Sequence, residues 1–298
     1  MTNHPVFEKF SAYLGPVPEG CQTDYIGARM RCEYVATTTP SPSEVQMGPP
    51  PLDEEYFEWI DILESVSRAR GSYTMLELGA GYGRWVVRAA LALRQRGIQK
   101  CHLVAVEAEP LHFKWLQQHF RVNDLNPAEH TLVQAVVSDQ PGAALFYVGM
   151  PKGGADRADQ WYGQAIARSY EQLRTKTTKC YEGFPVLQLE SGWKSIEVPA
   201  VTLESLLRDL DRVDLIDMDV QGEELKIIQS AIDEVDRKVC RLHVATHTPE
   251  LQKGLTEALG SRGWTCNFDF PCFSTTETAF GPVSFGDGVQ SWINPRMQ

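Results

Sequence analysis

An apolar run (Met75, Leu76, Leu78) ends in three glycines at alternate positions, Gly79, Gly81 and Gly83. A helical pattern then opens at once with Trp85, Val86, Val87, Ala90 and Leu91. That order spells strand, tight turn, helix. Glycines at a strand's carboxyl end let the backbone pass close to a ligand, and the helix that follows presents unpaired N–H groups there. The dinucleotide fingerprint G-x-G-x-x-G would place its third glycine at position 84. This chain has Arg84 there, and its spacing is G-x-G-x-G. Glu77 puts a carboxylate into the same crevice. Two anions facing each other are unfavourable, so Glu77 is a poor neighbour for a pyrophosphate and suits a cationic ligand end. The amino and sulfonium groups of S-adenosylmethionine are such an end. Glu77, Gly79, Ala80, Gly81 and Gly83 are therefore expected to bind a cofactor.

The surrounding pattern alternates strand and helix. Residues 52–70 carry apolar side chains at 56, 57, 60, 63 and 66, a helical period with acids in its first turn. After the glycine turn and its helix, residues 102–107 read as a second buried strand ending in Glu107. Residues 110–120 read as a helix with proline tolerated at its start, and residues 131–137 as a third strand followed by Ser138. Further strands are expected at 213–219, 241–247, 264–268 and 283–293, the last two as a closing antiparallel pair. Thr202 is a fair N-cap for a short helix. Such alternation predicts an α/β fold, a mostly parallel doubly wound sheet of Rossmann-like kind. Residues 1–51, rich in Pro, Thr and Ser, read as an N-terminal arm before a domain spanning 52–298. About 149–195 lacks a βα rhythm and reads as an inserted lid. Within it Trp161, Tyr162 and Gln164 could wall a substrate, or merely pin the insertion to the core.

Composition narrows the function classes. The 298 residues carry a net charge of −11, which argues against a nucleic-acid-binding face. Seven cysteines are scattered without a C-x-x-C pair, and a reducing cytosol is the default. The opening Met-Thr-Asn-His-Pro lacks the features of a signal peptide, and no apolar stretch approaches the ~20 residues of a membrane span. A cytoplasmic protein acting on a small molecule or saccharide is expected, with no membrane or nucleic-acid partner and an oligomeric state left open.

In an open parallel sheet, ligands bind outside the carboxyl ends of the strands, beside the switch point. Three such ends are informative: the glycine turn, Glu107 with Ala108, and Asp217 with Asp219. His247 ends a fourth. Glu107 can accept both hydroxyls of a ribose. Asp219 and His247 are the candidate general bases, each weighed against a structural role in holding a turn or capping a helix. Asp217, Asp219 and Glu224 offer oxygens suited to a divalent ion such as magnesium, a possibility that is not favoured, so no metal ligand is assigned.

The segments Leu76-Glu-Leu-Gly-Ala-Gly-Tyr-Gly83, Val106-Glu107, Val201-Thr-Leu-Glu and Asp219-Val-Gln-Gly-Glu-Glu224 resemble the FkbM-type S-adenosylmethionine-dependent methyltransferases over about residues 73–247. The last segment is similar to that family's Asp-x-(Glu/Gln)-Gly-x-Glu motif. Asp217 departs from the lysine usual two places before the motif. The resemblance implies the seven-stranded class I methyltransferase sheet with S-adenosylmethionine over the first two strand ends. It implies that Glu77 and the glycine turn hold the amino-acid portion, Glu107 the ribose, and Val136 and Ser138 the border of the adenine. Asp217 counts with the cofactor-facing residues and Glu224 with the substrate-facing ones. Family members commonly methylate hydroxyl groups of small molecules or sugars. N-methylation, a nucleotide-binding oxidoreductase and a non-catalytic binding protein stay open as rivals.

Overall fold

The computed structural model describes residues 3–35, 42–149, 165–167 and 174–297. Its central sheet holds β1 (Ser72–Leu78), β2 (Lys100–Val106), β3 (Thr131–Val133), β4 (Leu215–Met218), β5 (Arg241–Thr246), β6 (Thr265–Phe270) and β7 (Gly288–Ile293). Their spatial order is β3-β2-β1-β4-β5-β7-β6. Every neighbouring pair is parallel except those made by β7, which runs antiparallel to both β5 and β6. This is the seven-stranded, mostly parallel, doubly wound sheet expected from the sequence. The order reverses between β1 and β4, so the crevice of the switch point opens above those two strands.

Both faces of the sheet are covered, which is why its inner strands read as nearly continuous apolar runs. On one face α1 (Glu55–Arg68), α2 (Arg84–Gln95) and α3 (Pro110–Val122) bury Phe57, Ile60, Val86, Leu93, Leu116 and Phe120 against Met75, Leu103, Ala105 and Leu215. On the other, α4 (Leu203–Leu207), α5 (Glu224–Ser230), α6 (Ile232–Lys238) and α7 (Pro249–Ser261) pack Leu203, Ile227, Val235 and Leu255 on Leu76, Val104, Ile216 and Leu242. Thr202 and Thr248 cap α4 and α7, accepting from the Ser205 and Leu251 N–H groups. Among the described residues no helix is long and apolar enough to cross a membrane.

Three expectations change. Residues 131–137 are not one strand: β3 ends at Val133, and Val136–Ser138 joins a second sheet, parallel to Lys194–Thr202. The break is fixed from below, because the Glu107 N–H donates to the Val133 carbonyl (3.0 Å) and the Ala135 N–H donates to the Glu107 carbonyl (3.2 Å). The second sheet continues through Gly142–Gly149, Arg174–Tyr181 and Phe184–Leu189, with its own core of Phe146, Val186, Ile196 and Val198. The described part of the expected lid is therefore regular β structure; Trp161, Tyr162 and Gln164 lie outside the described residues. Part of the arm, finally, packs into the core. Phe7, Phe10, Tyr25 and Ile26 are buried beside Tyr56 and Trp59 of α1, and Asp24 pairs at 2.7 Å with a buried Arg88 whose guanidinium lies 4.3 and 4.2 Å from the Trp59 and Trp85 rings.

Two glycines separate backbone strain from steric closeness. Gly79 (φ +81) and Gly97 (φ +70) are both left-handed, but a Cβ at 79 would lie 1.8 Å from the Asp219 carbonyl oxygen, whereas at 97 it would meet nothing within 4 Å. Gly97→Ala is expected to cost about 1 kcal/mol, the left-handed penalty alone. Gly79→Ala is expected to cost at least about 3 kcal/mol because two strand ends must part. Urea unfolding of both variants checks the ranking.

Candidate active site

The turn after β1 is tied down on both sides. The Gly79 and Ala80 N–H groups both donate to the Val106 carbonyl at the end of β2, at 3.0 and 2.9 Å, and the Asp219 N–H donates to the Leu78 carbonyl at 2.9 Å. Two cavities meet over this junction, sharing Gly79, Gly81, Asp219 and Gln221 in their walls. Gly83 lines neither. A Cβ there would lie 2.3 Å from the Leu116 side chain, so this glycine serves the packing of α3.

The first cavity is walled largely by apolar side chains, with Glu107 as its own carboxylate and Asp219 at its junction with the second. Ala108, Val136, Val137, Phe146 and Ile166 form its walls, His112 one edge, and Glu107 its floor. The Glu107 oxygens accept from the Gly81 and Glu109 N–H groups, both at 2.6 Å. Each oxygen keeps a second acceptor direction. Burial pushes this carboxyl up to about 8, against the pull of those backbone donors. Ser138 departs from expectation: it lines neither cavity and donates to Asp139 instead, because the break after β3 presents Val136 and Val137.

The second cavity is strongly acidic. Glu54, Glu55, Glu58, Glu77, Asp217, Asp219 and Asp287 line it together with Ala80, Arg84 and His243. Glu77 is turned toward α2, where its oxygens accept from the Val86 (2.8 Å) and Trp85 (3.2 Å) N–H groups. It completes a helix start that has no side-chain cap of its own. Burial, then the charge of Asp217, raises its carboxyl to about 8. Arg84 is held by the Glu55 carboxylate and by the Tyr82 hydroxyl (2.8 Å). Asp217, 5% exposed, hydrogen-bonds Glu58, and burial pushes both carboxyls up.

The Asp219-to-Glu224 segment explains its own spelling. Gln221 (φ +56) and Gly222 (φ +104) turn the chain through the left-handed region. Glu224 staples that turn from beneath, accepting from the Val220 and Gly222 N–H groups at 3.0 Å each. Its side chain is 0% exposed and lines neither cavity, which corrects the expectation of a substrate contact. The Gln221 amide donates to Asp219 Oδ1 at 2.8 Å, and Asp219 stays half exposed where the cavities join.

His247 is held among acids. Its Nδ1 lies 3.2 Å from Glu224, and its Nε2 lies 3.3 Å from Asp219 and 3.7 Å from Asp287. These are ion-pair contacts, since neither ring nitrogen makes a well-directed hydrogen bond. Burial by itself would lower its pKa, but Asp219 and Glu224 overcome that and raise it to about 10. At neutral pH the ring is an imidazolium and has no lone pair with which to accept a proton. The general-base role expected of His247 is thereby replaced by that of a counter-ion to Asp219 and Glu224.

Glu58, Asp61, His112, Phe146, Ile166 and His243 escaped the sequence reading. One signal was available: Asp61 falls four residues after Phe57, on the apolar stripe of α1, and an acid there must be buried. In the fold it is 0% exposed and accepts from His243 Nδ1 (2.8 Å), Ser291 Oγ (2.7 Å) and Arg241.

The model of the methyltransferase FkbM domain family matches residues 77–268, most of this chain. The chain belongs to the FkbM methyltransferase family. It is 26% identical over 292 residues to a protein of Jannaschia sp. (strain CCS1) named "Putative methyltransferase", covering 97% of this chain and 98% of that one. Solved structures similar to it include methyltransferase FkbM from Methylobacillus flagellatus KT, at 11% identity and TM-score 0.45, covering 82% of this chain and 56% of that one. Precorrin-6y C5,15-methyltransferase from Geobacter metallireducens GS-15 aligns at 15% identity and TM-score 0.37, covering 78% and 86%. In this FkbM-family methyltransferase, the Asp-x-Gln-Gly-x-Glu segment is what sets Asp219 at the cavity junction.

The His247 charge has a pH consequence. Because its pKa is raised from 6.5 to about 10 on folding, the imidazolium stabilises the protein fully below about pH 6.5. That contribution declines above 6.5 and is gone once pH passes about 10. Denaturant unfolding of His247→Gln beside the parent should show the largest stability gap at pH 6, shrinking toward pH 10.

Proposed function

We propose that this methyltransferase moves a methyl group from S-adenosylmethionine to a hydroxyl oxygen of a small molecule or saccharide. The observation that carries the reading is the meeting of an apolar-walled cavity floored by Glu107 with an acidic one over Gly79, Gly81 and Asp219. The first cavity fits an adenosine: Glu107 keeps an acceptor direction on each oxygen for two ribose hydroxyls, and Val136, Val137, Phe146 and Ile166 offer apolar surface to a base. Glu77 and Asp217 in the second suit the cationic amino-acid end. When bound, the cofactor supplies a methyl carbon already activated by a positively charged sulfur.

What remains for the protein is mostly placement. Effective molarities of ~10⁵–10⁸ M for well-oriented partners exceed the ~10²–10⁴-fold typical of a general base. Asp219 is suited to receive the hydroxyl proton. Gln221 and His247 both engage its Oδ1, and no described residue hydrogen-bonds Oδ2. His247 and Gln221 orient that carboxylate, and Glu224 fixes the turn that carries it.

Calorimetry tests the cofactor. S-adenosylmethionine should bind and NAD should not; NAD binding in its place would replace this reading with that of an oxidoreductase. Glu107→Ala should weaken S-adenosylmethionine by about 10- to 100-fold, the loss of one or two hydrogen bonds, with Glu107→Gln between. An unchanged affinity would remove the ribose role.

A further inference from the structure

We propose that Glu58, Asp217 and His243 form a binding site for a divalent transition-metal ion in the wall of the acidic cavity. One potential ligand atom from each lies within 4.8 Å of those of the other two. All three residues line the cavity.

The imidazole points to a ligand independently of the acids. Its side chain is 5% exposed, and Nδ1 is engaged by Asp61 at 2.8 Å. Nε2 has no hydrogen-bond partner among the described residues, and the residue lines the cavity, which leaves that nitrogen available to a ligand there. Asp61 is itself fixed, since it also accepts from Ser291 Oγ and from Arg241. A carboxylate that holds one ring nitrogen and aims the other is the support that metal-bound histidines use. Asp217, 95% buried, is hydrogen-bonded to Glu58, a second carboxyl group.

The nearby cations are already committed. Arg241 pairs with Asp61 and Glu64, and Arg84 with Glu55 and the Tyr82 hydroxyl. The second acid–imidazole trio, Asp219, Glu224 and His247, is unlike the first. There both ring nitrogens already face carboxylates, and Glu224 is spent on the Val220 and Gly222 N–H groups. Its imidazolium already serves as the internal cation of that group.

Two carboxylates and one imidazole make a mixed oxygen and nitrogen set, which suits Mn²⁺, Fe²⁺ or Zn²⁺ better than an all-oxygen ion. Three protein ligands leave coordination positions open to the cavity, as in catalytic rather than structural sites. The role of the ion rests on the methyl-transfer reading: an acceptor hydroxyl bound to it would be positioned and made more acidic. In the transfer the O–H bond breaks with its proton passing to Asp219. The oxygen lone pair forms the new C–O bond, and the pair of the broken C–S bond returns to sulfur.

Ion binding itself is the test, so it stands apart from activity. Full-length protein freed of metal by chelator is titrated with Mn²⁺ and followed by electron paramagnetic resonance. One ion per chain should bind, with nitrogen modulation from a coordinated imidazole in the pulsed spectrum. Glu58→Gln, a change at the cavity wall, should weaken binding at least ~10-fold, and His243→Asn should remove the modulation. Absence of saturable binding, absence of nitrogen modulation, or weakening by Asp287→Asn but not by Glu58→Gln would overturn the proposal. S-adenosylmethionine calorimetry on the same metal-free protein separates this failure from that of the cofactor assignment.

Discussion

Gly79 sits so close to the Asp219 carbonyl that no side chain fits between them, and the site depends on that contact. At a switch point the chain leaves β1 toward α2 on one face and leaves β4 toward α5 on the other. The two turns would ordinarily diverge and leave a broad cleft. Here the glycine lets them touch, and the cleft divides into an apolar chamber on the β2 side and an acidic one on the α1 side. The Asp219 N–H, bonded to the Leu78 carbonyl, extends the β1–β4 ladder to the point of contact. Asp219 is thereby fixed at the partition, and its side chain is the one carboxylate that lines both chambers.

Beneath the acidic chamber a polar row crosses the sheet. Glu77 pairs in register with Asp217, Asp217 with His243, and His243 with Ser291, all on the face covered by α1. Buried carboxylates are costly unless something offsets their charge. Glu77 finds the open N–H groups of α2. His243 and Ser291 find Asp61, which Arg241 balances. Asp217 has another acid, Glu58, as a hydrogen-bond partner. A core built only for stability would carry apolar residues in such a row, so its retention marks the face as a working one.

The sheet could be read from the sequence because its signals are local: apolar runs of strand length, glycines and acids at their ends, and helical stripes between them. Glu107 could be read because a strand-end acid one βα unit after a glycine turn has a stereotyped position. The rest depended on contacts distant in sequence. Asp61 and His243 meet across 182 residues, and only the sheet register places Asp217 between Glu77 and His243. The role of His247 was invisible for a different reason. Its position at a strand end was readable, but its protonation state follows from three carboxylates supplied by β4, α5 and the turn before β7. The break between Val133 and Val136 was likewise hidden, since both flanks are apolar and only the two hydrogen bonds to Glu107 separate them.

The two acid–imidazole groups show how the same residue types are held in different ways. A histidine whose two nitrogens face carboxylates is driven to its cationic form, because each acid stabilises the added proton. His247 is so placed and becomes the internal cation of its group. His243 is placed differently: Asp61, which Arg241 also engages, holds its Nδ1, and no described residue hydrogen-bonds its Nε2. The first arrangement holds Asp219 in position while adding no acceptor of protons. The second concentrates donors for an external cation on the wall where an acceptor molecule would lie, across the glycine turn from the proposed cofactor chamber. Division of labour between the groups thus follows from which acid each ring nitrogen meets, and that is decided by Asp61 and Arg241 on one side and by Glu224 on the other.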